Sequence, residues 1–404
     1  MSLEADLFGN LVLTRPVPKT EEDWLQLQLQ AEDVFSPHAP IDDQTLFAGR
    51  TDIVRRVVTT VFQRGRHAIL YGERGVGKTS LANILKDQIF SKSQVVKVVK
   101  RNCTQAHNFR LMWVHALDEY TVDGKASSEF LGPDPNAYDI YRVLESLPPR
   151  ERPVFIFDEF DRISDENCFA TMADTIKYLA DYSSKSTVII VGVADNVSEL
   201  FGGHPSVQRN VQQIRMPWMS QDELRAIFNR RMPLLGMHFH PKVMDLIVEL
   251  SQGLPTYTHL LGQNAALAAI ERKSLEVTAG DFNACIEVCI SEADETVREG
   301  YLKAVRSTKP GNQYRQALLA CAMAKTNEKG YFNAADVRPP FSKIMNRDVD
   351  IPHFARHLKE FCDGDRGPAL AKTGKARSYE YRFVDPLLRP YVILRGISDK
   401  MIEP

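Results

Sequence analysis

Eight residues constrain this chain more than any others. Gly72-Glu73-Arg74-Gly75-Val76-Gly77-Lys78-Thr79 fits the pattern GxxxxGK[ST], directly after the apolar run His67 to Tyr71 and at the start of a helical stretch, Thr79 to Phe90. Glycines let the backbone wrap an anion with no Cβ in the way, so that successive N–H groups and a helix N-terminus face a phosphate. Lys78 then neutralises β and γ phosphate charge, and Thr79, followed by Ser80, offers a hydroxyl to Mg²⁺. The expected cofactors are ATP and Mg²⁺, held by Gly72, Gly75, Val76, Gly77, Lys78, Thr79 and Ser80.

A second pattern supplies the other half of such a site. Val154-Phe155-Ile156-Phe157 is an apolar strand that ends in Asp158-Glu159, and the carboxyl edge of a parallel sheet is where α/β proteins bind ligands. Asp158, with Thr79, is placed as a metal residue, and Glu159 as the general base that polarises water. Asp161 and Arg162 follow closely and read as interface or structural residues.

The surrounding pattern is α/β. Five candidate strands, 67–72, 95–102, 153–159, 186–195 and 211–217, alternate with helical stretches, the mark of a parallel sheet. From Ser220 to Ser307 four helical stretches follow one another, a small helical lid. The expected domains are an N-terminal arm at 1–42, a nucleotide-binding base at 43–218, the lid at 219–306 and a C-terminal domain at 312–404. The arm contains Glu21 to Val34, whose spacing is ambiguous between helix and strand.

Composition sets outer limits. With 44% hydrophobic and 25% charged residues, 404 positions suffice for several buried cores. Apolar runs such as Val188 to Val193 are far too short to cross a bilayer, and the first ten residues lack a basic region followed by an apolar one. The expectation is a cytoplasmic protein with no membrane partner. Six cysteines without a CxxC pair indicate neither a disulfide framework nor a zinc site.

These motifs resemble those of AAA+ ATPases, and within that group the chain is similar to the initiator clade of origin-recognition and archaeal origin-binding proteins. The resemblance implies an α/β fold, a parallel P-loop AAA+ sheet with a helical lid and a C-terminal winged-helix domain, and ATP hydrolysis by a homo-oligomer. It places Gly49 and Arg50 in the box that flanks the adenine, Asn196 at the sensor 1 position and Arg209 as the arginine finger. One departure stands out. Thr256 occupies the position where the clade carries its sensor 2 arginine, and Gly253-Leu254-Pro255 resembles the GxP motif of STAND signalling ATPases, in which the proline packs near the nucleotide. Slow hydrolysis is the consequence expected from the missing cation.

The C-terminal region reads as three helices, Tyr314 to Ala324, one capped by Asn333, and Ile351 to Cys362, then two strand-like runs joined through Thr373-Gly374. From 311 to 404 there are 16 Lys and Arg against 11 Asp and Glu, a net +5. In a winged helix, Arg356 and Lys359 on the third helix with Lys372, Lys375 and Arg377 on the wing would face duplex DNA. Three functions fit: an ATP-controlled switch that assembles on DNA, a STAND-like signalling or defence ATPase that oligomerises and controls an effector protein, and a transposon-type AAA+ target selector.

Overall fold

The computed structural model describes residues 17–37, 50–201, 211–375 and 378–403. They fall into two compact units, one of residues 39–216 and one that joins residues 1–38 to 217–404.

The first unit is built on five parallel strands: β1 (His67–Gly72), β2 (Val96–Asn102), β3 (Arg152–Asp158), β4 (Thr187–Val193) and β5 (Val211–Arg215). Their order across the sheet is β2-β3-β4-β1-β5. The three inner strands, β1, β3 and β4, read as continuous apolar runs because both of their faces are covered, so they bury both rows of side chains, whereas the edge strands β2 and β5 carry half-buried polar residues. On β3 every side chain from Val154 to Phe157 is fully buried. Trp113 closes that core, its ring edge-on to Phe155 at 5.3 Å and Phe157 at 5.2 Å.

Register decides where the chemistry lies. Gly72 stands beside Val193, while Phe157 stands beside Ile190 of the same intervening strand, β4. The ends of β1 and β3 therefore emerge at one edge of the sheet with a single strand between them. The expected helix Thr79 to Phe90 forms in two parts, an α-helix over Lys78–Ile84 and a wider π-helical turn over Leu85–Phe90.

In the second unit, the helix Glu21–Val34 packs with the lid helices. Its alternating Leu25, Leu27 and Leu29 suit a strand, but Thr20 and Asp23 settle the matter: the Thr20 hydroxyl accepts from Asp23 N and the Asp23 carboxylate accepts from Thr20 N. Just beyond the helix, Phe35 inserts between Phe228 and His259, and the Arg231 guanidinium donates to Val34 O at 2.9 Å. Gly262 makes this possible, since a Cβ there would stand 2.7 Å from the Phe35 ring.

The lid helices are Gln221–Leu235, Pro241–Leu250, Pro255–Glu271, Ala279–Glu292 and Glu295–Val305. Five helices stand where four were expected, because the last stretch breaks at Ala293-Asp294. Three helices follow, Tyr314–Met323, Ala334–Ile344 and Ile351–Glu360, with an antiparallel sheet of β6 (Phe332–Asn333), β7 (Leu370–Thr373) and β8 (Glu380–Phe383) in the order β6-β8-β7. The apolar end of the chain forms the helix Leu388–Ser398. No helix among the described residues is long and apolar enough to cross a membrane.

Trp218 ties the lid to this C-terminal part. A Cβ on Gly253 would stand 2.8 Å from the Trp218 Cβ, and one on Gly330 would stand 2.6 Å from the far edge of its indole. Both glycines have φ near +80°, at +81° and +75°. Tyr257, on the first turn of the helix Pro255–Glu271, adds a buried hydrogen bond from its hydroxyl to Leu387 O at 2.9 Å. Gly330→Ala should therefore lose about 1–3 kcal/mol more stability in urea unfolding than Gly311→Ala. Gly311 shares the left-handed backbone, at φ +71°, but has nothing within 4 Å of an added Cβ.

Candidate functional site

The P-loop is shaped by its glycines. Gly75 and Gly77 adopt φ of +82° and +88°, values that cost an L side chain about 1–2 kcal/mol each. At Gly72 a Cβ would stand 2.4 Å from Met216 O, where β1 and the end of β5 run together. Val76 is buried beneath the loop, and Ser80 is half-buried on the first helical turn.

Lys78 is the central cation. Only 8% exposed, it folds back over the loop, and its ammonium donates to Gly72 O at 3.0 Å and Glu73 O at 2.8 Å. Burial pushes its pKa down to about 8 from an ordinary 10.5, against the opposing pull of Asp161, Asp158 and Glu73. The ammonium is held by weak carbonyl partners in a place where a phosphate oxygen would serve it better.

Facing it is Asp158, the last residue of β3 and 1% exposed. Its Oδ1 accepts from Glu159 N at 3.0 Å and from the Thr79 hydroxyl at 3.4 Å. Its Oδ2 lies 3.0 Å from the ammonium of Lys100, a residue of β2 that motif reading did not single out. Glu159 has left-handed backbone, φ +57°, and its carboxylate pairs with Arg162 at 2.8 Å. Asp161 accepts from Val193 N at 2.7 Å and so ties the turn after β3 to the end of β4. Asp161 and Arg162 thus brace the turn after β3.

The other candidates divide. Asn196 caps the short turn Val197–Leu200, accepting from Glu199 N at 3.1 Å and donating to the Glu199 carboxylate at 2.8 Å. Arg50 is buried, with φ +64°, and starts the helix Thr51–Phe62. Pro255 is buried at the first position of its helix in the second unit. Gly49, Arg209 and Arg377 lie outside the described residues.

An ammonium, a hydroxyl and a carboxylate around a glycine cradle match a phosphate chain with a hard divalent ion, so the residues present fit both groups. Together with the strand order, the site defines a P-loop NTPase of the AAA+ type. Residues 38–286 match the model of the family Novel STAND NTPase 1, and the chain belongs to that family. The match covers the sheet unit and most of the lid, and it ends before the C-terminal helices.

A curated relative is the General secretion pathway protein A of Aeromonas hydrophila, 22% identical over 255 residues, which are 60% of this chain and 44% of the relative. The chain spans less than half the length of that protein. Among solved structures, the ORC1 protein of Aeropyrum pernix in complex with DNA is 15% identical, covers 91% of this chain and 97% of its own, and has a TM-score of 0.48. The ORC2 protein of the same organism, also 15% identical, covers 91% and 98% at a TM-score of 0.49. The RuvB Holliday junction branch migration motor of Thermotoga maritima is 14% identical and covers 91% and 99% at 0.43.

The Lys78 pKa has a measurable consequence. The unfolded chain holds this proton up to about 10.5 and the folded chain releases it from about 8, so burial of Lys78 costs stability below pH 8 and stability recovers as pH rises between those values. A bound phosphate needs the ammonium charged. Nucleotide affinity, followed by fluorescence from neutral pH to about pH 9.5, should fall above about pH 8 by up to about tenfold per unit, and Lys78→Arg should flatten the profile.

Proposed function

We propose that the chain is an ATP-binding and slowly hydrolysing conformational switch. The observation that carries this reading is Lys78, buried and folded onto the loop's own carbonyls, with the Thr79 hydroxyl and the Asp158 carboxylate converging beside it. In this reading Lys78 holds β and γ phosphate, Thr79 and Asp158 hold Mg²⁺, and Arg50 borders the nucleotide. Bound Mg²⁺ screens phosphate charge and stabilises the leaving group. Glu159 orients the attacking water and takes its proton, which requires that its carboxylate leave Arg162. Asn196 is the proposed sensor, on condition that it is released from Glu199.

Slow turnover follows from the chain's own residues. Thr256 brings no cation, and Glu159 is paired at rest. The nucleotide then acts as a state marker rather than as fuel for continuous work, in keeping with STAND membership. Lys78→Ala should abolish ATP binding, and Glu159→Gln should retain ATP while turnover falls by about 10²-fold or more. Single-turnover assays on both variants test the assignment. Parent-rate hydrolysis by Glu159→Gln would remove Glu159 from the role of base.

The switch's output is proposed to be the C-terminal domain, read as a winged helix that acts on an effector protein or on duplex DNA, with homo-oligomers formed through an Arg209 finger. One observation bears on DNA. Arg356 is neutralised by Glu360 at 2.7 Å, whereas Lys359, Lys372 and Lys375 are exposed and form no ion pair among the described residues. If those lysines and Arg377 meet phosphates, Lys372→Ala with Lys375→Ala should flatten the slope of log affinity against log salt by roughly two and leave ATPase turnover unchanged. Anisotropy with labelled duplex decides; no binding at low salt in either nucleotide state leaves the effector protein as the target.

A further inference from the structure

Lys100 occupies a place that the function above does not explain. It lies on β2, which pairs with β3 so that Asn102 stands opposite Asp158. From two residues back, its side chain brings the ammonium to 3.0 Å from Asp158 Oδ2 and 2.9 Å from Asn102 Oδ1. Both charged side chains are removed from water, at 10% and 2% exposure. The two oxygens of Asp158 are thus divided: Oδ1 faces Thr79 and Glu159 N, and Oδ2 faces a fixed cation.

An ammonium and a divalent ion compete for the same carboxylate. Like charges a few ångströms apart in a buried site repel far more strongly than in water, so both cannot serve Asp158 at once without loss of affinity. We propose that Lys100 is a resident counter-cation of Asp158 that a divalent ion has to displace, so that nucleotide binds without metal and metal entry is a separate second step. Without Lys100, a bare buried carboxylate would repel incoming phosphate. With it, the edge of the sheet is already neutralised. The proposal rests on the assignment of this edge as the nucleotide site, and it adds how the site handles the metal.

The test uses the full chain and two probes, fluorescent ADP in EDTA and Mn²⁺ added to the ADP-loaded protein, with bound Mn²⁺ read by its paramagnetic resonance signal. The parent should bind ADP in EDTA. Lys100→Met should bind ADP in EDTA about tenfold or more weakly and Mn²⁺ about tenfold or more tightly, while Lys100→Arg, which keeps the charge, stays near the parent. Lys100→Met with Asp158→Asn removes both buried charges; it should restore ADP binding in EDTA and lose Mn²⁺, and it carries the test if the single variant fails to fold. Mn²⁺ affinity in Lys100→Met equal to or below the parent's, or no recovery of ADP binding in the double variant, overturns the proposal and leaves an ordinary structural ion pair. A parent that binds no ADP with or without metal would instead remove the nucleotide site itself.

Discussion

A carboxylate at the end of a buried strand has to be matched by cations, and in this chain Asp158 is matched from two sides. Lys100 meets one oxygen directly, while Lys78 stands across the loop, within range for the acidic groups at the end of β3 to oppose the effect of its burial. Each charge would be costly alone in so dry a place, and each is retained because the others are there. The strand order makes the arrangement possible: β1 brings the loop, β3 the carboxylates, β2 the second lysine and β4 the amide that anchors Asp161. The turn that follows is strained at Glu159, whose left-handed backbone is the kind of outlier that accumulates at functional sites.

The second unit shows a different use of rigidity. Its glycines at 253 and 330 both give way to Trp218, and Tyr257 fixes the helix that opens with Pro255 to the carbonyl of Leu387. Lid and C-terminal part are therefore joined by bulky contacts, a half-buried Trp218 and a buried Tyr257. At its other end the unit takes in the helix Glu21–Val34, where Phe35 is clasped by Phe228 and His259 and by the gap at Gly262. Burial keeps the His259 imidazole neutral, and its Nδ1 accepts from Ser36 N at 3.3 Å.

Much of this was legible along the chain. All five sheet strands lie within a few residues of their expected bounds; the inner three, buried on both faces, leave a continuous apolar signal, and the edge strands keep a shorter β-branched one. The P-loop and Asp158 could be read because their chemistry is local in sequence. What escaped was set by distance through space. Lys100 looks like one cation in the run Lys97 to Arg101, and its pairing with Asp158 arises from cross-strand register, which spacing along one strand does not reveal. The pairing of Arg356 with Glu360 was more visible, being one helical turn apart. The leucine alternation from Leu25 to Leu29 pointed equally to strand and helix until the Thr20 and Asp23 cap was seen to form.

The central claim is that Lys78 and Asp158 enclose the place where a nucleotide's phosphates bind, and amide hydrogen exchange with and without Mg-ADP addresses it most directly. The account predicts that protection rises chiefly in the loop amides between Gly72 and Ser80 and in the turn from Asp158 to Asp161, since those groups gain phosphate partners or close upon them. Nucleotide bound with exchange unchanged in both segments, or changed only elsewhere in the chain, would contradict it.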